Sequence, residues 1–356
     1  MTKHALAADL GRAEGELSLT DLVGRSAETL RKLSTANVGT IKSITNRMRI
    51  LALNALIEAE RAGTVGRGFS VVAHEVRQVS SEVEGLVDGL GARLQSQVAE
   101  LETATRQLVQ QAQADRLVDL SLNAVELIDR NLYERTCDVR WWATDSAVVD
   151  CAAQPTAENA AYAARRLAVI LSSYTVYLDL WICGLDGRIL ANGQPDRYRV
   201  AGHDVGREPW FTRGAALASG DDYAVADIAA SPLLGGAQVA TYVASIREDG
   251  EARGRPLGVL AIHFDWQPQA SAIVRGVRID AADAERTRVM LVDSHHRVIA
   301  ASDGRGVLSE VFPLRPQGVS GTHAGDGGGI VAYHRTPGYE TYEGLGWYGV
   351  IAQRPS

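Results

Sequence analysis

Between Leu22 and Leu108 the chain contains no proline, and its apolar residues recur at alternating steps of three and four. That is the period of helices packing along a seam, so the whole stretch is committed to helix. One arm carries Leu30, Leu33, Asn37, Ile41, Ile44, Met48, Leu51 and Ala55. The other carries Val72, Val76, Val79, Val83, Leu86 and Leu90, and continues through Leu94, Val98 and Leu101 with a local disturbance of the heptad. Between them lies RAGTVGRGF, where Gly63, Gly66 and Gly68 break the helix and permit a tight reversal. Folding about Thr64 and Val65 pairs residue 22 with roughly residue 107. Both seams then end together, which predicts an antiparallel hairpin with arms on the order of 60 Å, at about 1.5 Å per residue. Ile50, Leu53, Ile57 and Phe69 widen the apolar surface beyond one seam. A dimer forming a four-helix bundle is the expected way to cover it.

The remaining residues read differently. From Asp115 the helical spacing resumes at Val118, Leu122, Val125, Ile128 and Leu132, and Pro155 stops it. QQAQA at 110–114 holds no breaker, so the second arm is expected to run into a long helix over 116–152. After a helix at Ala157 to Leu171 the composition turns to strands, at 174–183, 189–191, 223–227, 239–246, 257–264, 289–292, 298–300, 330–334 and 347–352. YLDLWICGLDGRILANG and VMLVDSHHRVIAASDGR both read as strand, tight turn, strand, roughly 115 residues apart. This predicts two similar sheets in tandem.

The fold class expected is therefore α+β. A frayed N-terminus (1–20) precedes a coiled-coil hairpin (21–110, tip near 63–68). A sheet unit follows (111–356), with a first sheet at about 174–266 and a second at about 287–354.

At 356 residues and a formal charge of −7, the chain has no basic footprint for nucleic acid. Cys137, Cys151 and Cys183 form no CxxC pair and fit a reducing compartment. The N-terminus has no apolar core of a signal peptide. The longest apolar stretch, Leu167 to Leu185, contains Asp179, Ser172, Ser173 and Thr175, and reads as a helix end followed by a strand. No membrane span and a cytoplasmic location are the expectations. No metal, cofactor or catalytic motif stands out. His295 and His296 lie in a turn, and GDGGGI at 325–330 lacks a phosphate-loop setting. An enzyme is not expected.

LALNALIEAERAG followed by GRGFSVVAHEVR closely resembles the hairpin tip of bacterial chemoreceptors, the methyl-accepting chemotaxis proteins. The resemblance implies a tip that engages a chemotaxis histidine kinase and its coupling protein. It also implies dimers that associate further into trimers. It assigns Leu51, Asn54, Glu58 and Arg61 to trimer contacts, and Ile50 and Val71 to the face that meets kinase or coupling protein. Asn46 to Arg49 depart from the family, which has an aromatic residue followed by glutamine, threonine and asparagine. Ser80, Ser81, Glu82 and Glu84 are read as a solvated helix face rather than methylation sites.

The stretch VGREPWFTRGAALASGDDYAVADIAASPLLGGAQVATYVASIRE, with GRPLGVLAIHFDW, resembles the double Cache sensor domain. The resemblance implies a ligand pocket in the first sheet, with Trp210 and Phe211 on a short helix and Asp227 before the next strand. His263 falls on a late aspartate position, with Asp265 two residues on, and Tyr223 joins the set. Glu208 stands where an arginine is usual, leaving Arg207 or Arg213 to grip a carboxylate. Together these predict a chemoreceptor-like transducer whose sensor binds a small polar or carboxylate-bearing metabolite. The alternative is an adaptor that occupies kinase-coupling sites, with the Cache-like part as a dimerisation scaffold and its pocket filled by side chains.

Overall fold

The structure, a computed structural model, describes residues 19–355; most of the N-terminal segment expected to fray lies outside them. The chain divides into two compact units between Gln113 and Ala114.

The first unit is the helical hairpin. Helix α1 (Leu19–Arg61) leads through a 3-10 turn (Gly63–Gly66) into helix α2 (Arg67–Trp142). Gly63 takes φ +60°, and a side chain on Gly66 would meet the Ala59 carbonyl oxygen at 2.1 Å. Both glycines are thus required by the bend. Ion pairs tie the arms across the hairpin: Arg31 to Glu102 at 3.0 Å, Arg49 to Glu84 at 3.7 Å, and Lys42 to Asp88. Their partners descend as they ascend, as an antiparallel fold requires.

The seam between the arms is not the one expected from spacing. The side chains buried between them are small: Ala27, Thr45, Ala52 and Ala59 on α1, and Ala73, Ser80 and Thr105, joined by Val87, on α2. Leu30, Leu33, Ile44, Leu51, Leu86 and Leu90 face outward. The buried row is the one whose side chains are small enough for the two helices to approach along it, and beside it a side chain on Gly91 would meet Val38 at an ordinary contact distance of 3.4 Å. Ser80 also departs from its expected solvated face. It is buried, with its hydroxyl donating to the Val76 carbonyl (2.7 Å).

The second unit begins within α2, which stays helical through Trp142. The long helix expected over 116–152 breaks there. Asp145 ends the turn and caps helix α3 (Ser146–Ala153), its carboxylate accepting from the Ala147 amide at 2.9 Å. Trp142 packs edge-on against Tyr174 and Tyr177, whereas Trp141, also expected to pack on the sheets, is 68% exposed. Helix α4 (Ala157–Ser173), capped by Thr156, leads into strand β1 (Tyr177–Gly184), so the long apolar stretch is a helix end and a strand. No helix among the described residues is long and apolar enough to cross a membrane.

The first sheet comprises β1, β2 (Ile189–Asn192), β3 (Tyr223–Val225), β4 (Ala229–Ser231), β5 (Ala237–Arg247) and β6 (Pro256–Asp265). Its order is β2-β1-β6-β5-β3, with β4 also on β5, and every pairing is antiparallel. Helix α5 (Pro209–Ala215) crosses one face. After β6, helix α6 (Trp266–Gly276) and the short α7 (Ala281–Ala284) lead to the second sheet. That sheet comprises β7 (Thr287–Val292), β8 (Val298–Ala301), β9 (Ser320–Ala324), β10 (Ile330–Arg335) and β11 (Tyr348–Gln353), ordered β8-β7-β11-β10-β9. Strands β4 and β9 were not anticipated; they are three and five residues long and made of Ala, Ser, Gly, Thr and His. The tandem repeat is visible in detail. The β1–β2 and β7–β8 turns close with the same bonds, Gly184 to Arg188 and Asp293 to Arg297, and put Gly187 and His296 at positive φ.

The α2 residues Val125, Ile128, Leu132 and Val139 are fully buried in a core shared with both sheets. The approach to the second sheet is close: a side chain on Gly349 would meet the Ser121 carbonyl at 2.1 Å. Beside the first sheet, Tyr177 donates to the Asp138 carboxylate at 2.5 Å and Arg135 pairs with the same group at 3.3 Å. α2 thus supplies the spine of this unit as well as one arm of the hairpin.

Candidate functional site

Strand alternation decides what faces the outer side of the first sheet. On β5 and β6, Ala240, Tyr242, Leu260, Ile262 and Phe264 join the helix-side core, leaving Thr241 and His263 on the opposite face. Helix α5 lies over that face because residue 214 is glycine; a side chain there would meet Val259 at 2.8 Å and Val243 at 3.0 Å. Pro209 starts the helix, and Trp210 and Phe211 follow on its buried side.

A cavity of about 330 Å³ opens between α5, the loop around residues 203–208, the segment 226–233 and the β1–β6–β5 face. Trp181, Trp210 and His263 form one wall. The His263 ring lies 3.9 Å from Trp181 and 5.9 Å from Trp210, centroid to centroid. His263 Nδ1 bonds Thr241 Oγ1 at 3.0 Å, its cross-strand neighbour. Nε2 is buried with no hydrogen-bond partner. Burial drives the imidazole pKa down to about 3, so the ring is neutral. Trp181 is fixed in turn by Asp179, which accepts from its indole N–H at 3.0 Å. Asp179 also accepts from Asn192 Nδ2 and from the amides of Leu180, Gly193 and Gln194. Burial raises its pKa while these donors oppose the shift, so this carboxylate is a fully bonded anchor.

The rest of the cavity is acidic. Asp204, Glu208 and Asp227 line it with His203 and Ser231, and no Lys or Arg does. Of the residues expected from the sequence, Trp210, Asp227 and His263 come together. Phe211 packs behind Trp210 in the core, edge-on at 6.1 Å. Tyr223 lies on the other face of the sheet, under the Arg140 guanidinium at 5.5 Å. Asp265 ends β6 away from the lining; burial raises its pKa against the pull of Arg197. Arg207 is exposed and outside the lining, and Arg213 turns its Nε back onto the Pro209 carbonyl at 3.2 Å. The arginine grip expected on a carboxylate is therefore not built, because the phase of α5 set by Gly214 and Trp210 directs its arginine elsewhere. Trp181, Thr241 and Glu208 complete the wall. The alternation WICG and VATYVAS carried the signal for the first two.

In the hairpin, Ile50, Leu51, Asn54, Glu58, Arg61 and Val71 are all exposed. Arg61 pairs with Glu58 at 2.9 Å within its own helix.

The order, a helical hairpin and then two tandem antiparallel sheets, resembles a chemoreceptor signalling hairpin joined to a Cache-type fold. Residues 16–135 match the methyl-accepting chemotaxis protein (MCP) signalling domain. The chain is 38% identical over 108 residues to the Pseudomonas aeruginosa methyl-accepting chemotaxis protein CtpL, covering 28% of this chain and 16% of that protein. It is 50% identical over 60 residues to CtpM of the same organism, 15% of this chain and 11% of that protein. The chain thus spans under a fifth of the length of these relatives. In fold the chain is similar to the ligand-binding domain of the Pseudomonas aeruginosa amino acid chemoreceptor PctC, solved with GABA. The TM-score is 0.51 at 21% identity, covering 67% of this chain and 98% of that one. The V. cholerae histidine kinase DctB sensor domain matches with a TM-score of 0.50 at 13% identity, covering 71% and 98%.

Proposed function

We propose that this protein is a cytoplasmic, dimeric chemoreceptor-like transducer. Its first-sheet cavity binds a small amine-bearing molecule, and its hairpin tip controls a chemotaxis histidine kinase through the coupling protein. The observation that carries the reading is the cavity wall itself: two tryptophans around a neutral histidine with a free Nε2, facing Glu208 and Asp227. An ammonium group suits this wall, because aromatic faces and carboxylates both attract a cation in a partly desolvated site. The Nε2 supplies one directional hydrogen bond, its donor or acceptor character set by the Thr241 contact. PctC supports the idea of an amine ligand, since GABA carries one. The adaptor alternative expects a side-chain-filled pocket, and the open cavity favours sensing.

Two measurements test this. Kinase autophosphorylation with coupling protein is expected to change when the protein is added, and Glu58→Lys is expected to abolish the change. No change in rate and no co-sedimentation would end the kinase reading. Separately, thermal shift with primary and quaternary amines, against matched carboxylates, is expected to find stabilisation by amines that Asp227→Asn and Trp210→Ala remove. Stabilisation by carboxylates alone would overturn the ligand class.

A further inference from the structure

The second sheet carries a cavity of its own. A volume of about 720 Å³ lies at the edge of the second sheet, between the end of α6, α7, the start of β7 and the ends of β8 and β11. Its floor is apolar, with Val274, Val277, Ile279 and Val289. Five arginines line it, against Glu285 and Asp303. Two of them are neutralised and held rigidly. Arg286 donates to Asp283 through Nε and Nη2 (3.0 and 2.8 Å), and Arg288 forms a two-pronged pair with Glu310 (2.8 Å each) and reaches Asp303 at 3.2 Å. The other three, Arg275, Arg305 and Arg354, have no carboxylate within ion-pair distance among the described residues. The Arg354 guanidinium donates to the Glu285 carbonyl, at 2.6 Å.

In a chain with a net charge of −7, three such guanidiniums around one concavity need an explanation. Like charges repel, and an anion between them relieves the repulsion while using the fixed fork of each guanidinium. We infer that this cavity is a second ligand site, specific for a small molecule bearing two or more carboxylate or phosphate groups. The site also touches the output element. Ile279 and Ala284 line it, and Asp280 between them is clamped by Arg116 of α2 at 2.7 and 3.3 Å, where α2 enters the sheet unit. Occupancy bears on the same helix that leads back to the hairpin.

The test is calorimetric titration of the full-length protein with citrate and with inorganic pyrophosphate, at low ionic strength. One site per chain is expected, weakened about tenfold or more in the double variant Arg275→Gln/Arg305→Gln. Affinity is expected to be unchanged in Trp210→Ala, which separates this site from the amine cavity. Preference between the two anions distinguishes a polycarboxylate from a phosphate ligand. Both substituted arginines are exposed and unpaired, so an unchanged thermal transition confirms that the double variant folds. No binding of either anion to the wild type, or binding that survives the double substitution, overturns the site. In Arg116→Gln, anion binding is expected to persist while anion-dependent amide-exchange protection of α2 near residue 120 disappears. Persistence of that protection overturns the coupling.

Discussion

The two units solve the burial problem in opposite ways. In the sheet unit Trp181, Trp266 and Trp347 are among the largest fully buried side chains, and α2 closes the core over both sheets. In the hairpin the interior is alanine, serine and threonine, while Leu51 is 67% and Leu86 73% exposed. The sheet unit is complete as one chain. The hairpin leaves its large apolar side chains exposed, and this is the surface that the proposed dimer would cover, making its stability depend on protein concentration.

The sharpest way to break this contrast is at the sheet core. Trp266 is fully buried, stacks edge-on with Trp347 at 5.2 Å and donates to the Ile299 carbonyl at 2.6 Å. Trp266→Ala is expected to cost the sheet unit about 3–5 kcal/mol in denaturant unfolding. The loss should be the same at every protein concentration.

A pH series sharpens it next. Burial raises the Asp129 carboxyl on α2 to about 6, with one oxygen unpartnered and the other accepting from the Gly338 amide at 2.9 Å. The folded state favours the protonated acid, so this contribution is full below about 4 and lost as pH rises through about 6. His263, lowered from 6.5 to about 3, acts in reverse: its contribution is present above 6.5 and lost as pH falls toward 3. The two trends oppose between pH 4 and 6. Asp129→Asn is expected to leave a protein that loses about 2–3 kcal/mol on acidification across that window, and His263→Gln one that gains it, read as the midpoint of chemical unfolding. The other titrating groups facing His263 are His203, Asp204, Glu208 and Asp227, all exposed and common to both variants. Identical pH profiles in the two variants would show that neither buried group sets the dependence.

Within the hairpin, Ala52→Leu places bulk in the close seam and is expected to destabilise it by about 1–3 kcal/mol. Smallest for the single chain is Leu86→Gln, which changes nothing between the arms. Its effect belongs to association: sedimentation is expected to show a weakened dimer, with helical melting less dependent on concentration. A Leu86→Gln variant that sediments as the wild type does would mean that the outward stripe is not the dimer surface.

These contrasts also explain what was legible in the sequence. The reversal at Gly63 to Gly66 was, because a bend between two long helices needs residues without side chains. The seam was not. A three-four spacing marks every apolar row on a helix, and only the sizes of Ala52, Ala59 and Ala73 indicate which row meets the other arm. The strands of both sheets were readable from β-branched runs, whereas β4 and β9 lack them. At the cavity, Trp210, Asp227 and His263 were legible as residues, but the direction of Arg213 was not. It depends on Gly214 seating α5 against Val243 and Val259, a contact made only in three dimensions.

The small side chains between the arms have a mechanical consequence. Interlocked leucines form teeth, and moving one helix along another means lifting each tooth over the next. A surface of methyl and hydroxyl groups has shallow corrugation, so an axial displacement of a fraction of the 1.5 Å helical rise meets little resistance. The hairpin's arms thus meet along a row without interlocking teeth, and the charges of Arg31, Lys42 and Arg49 are what tie one arm to the other across it.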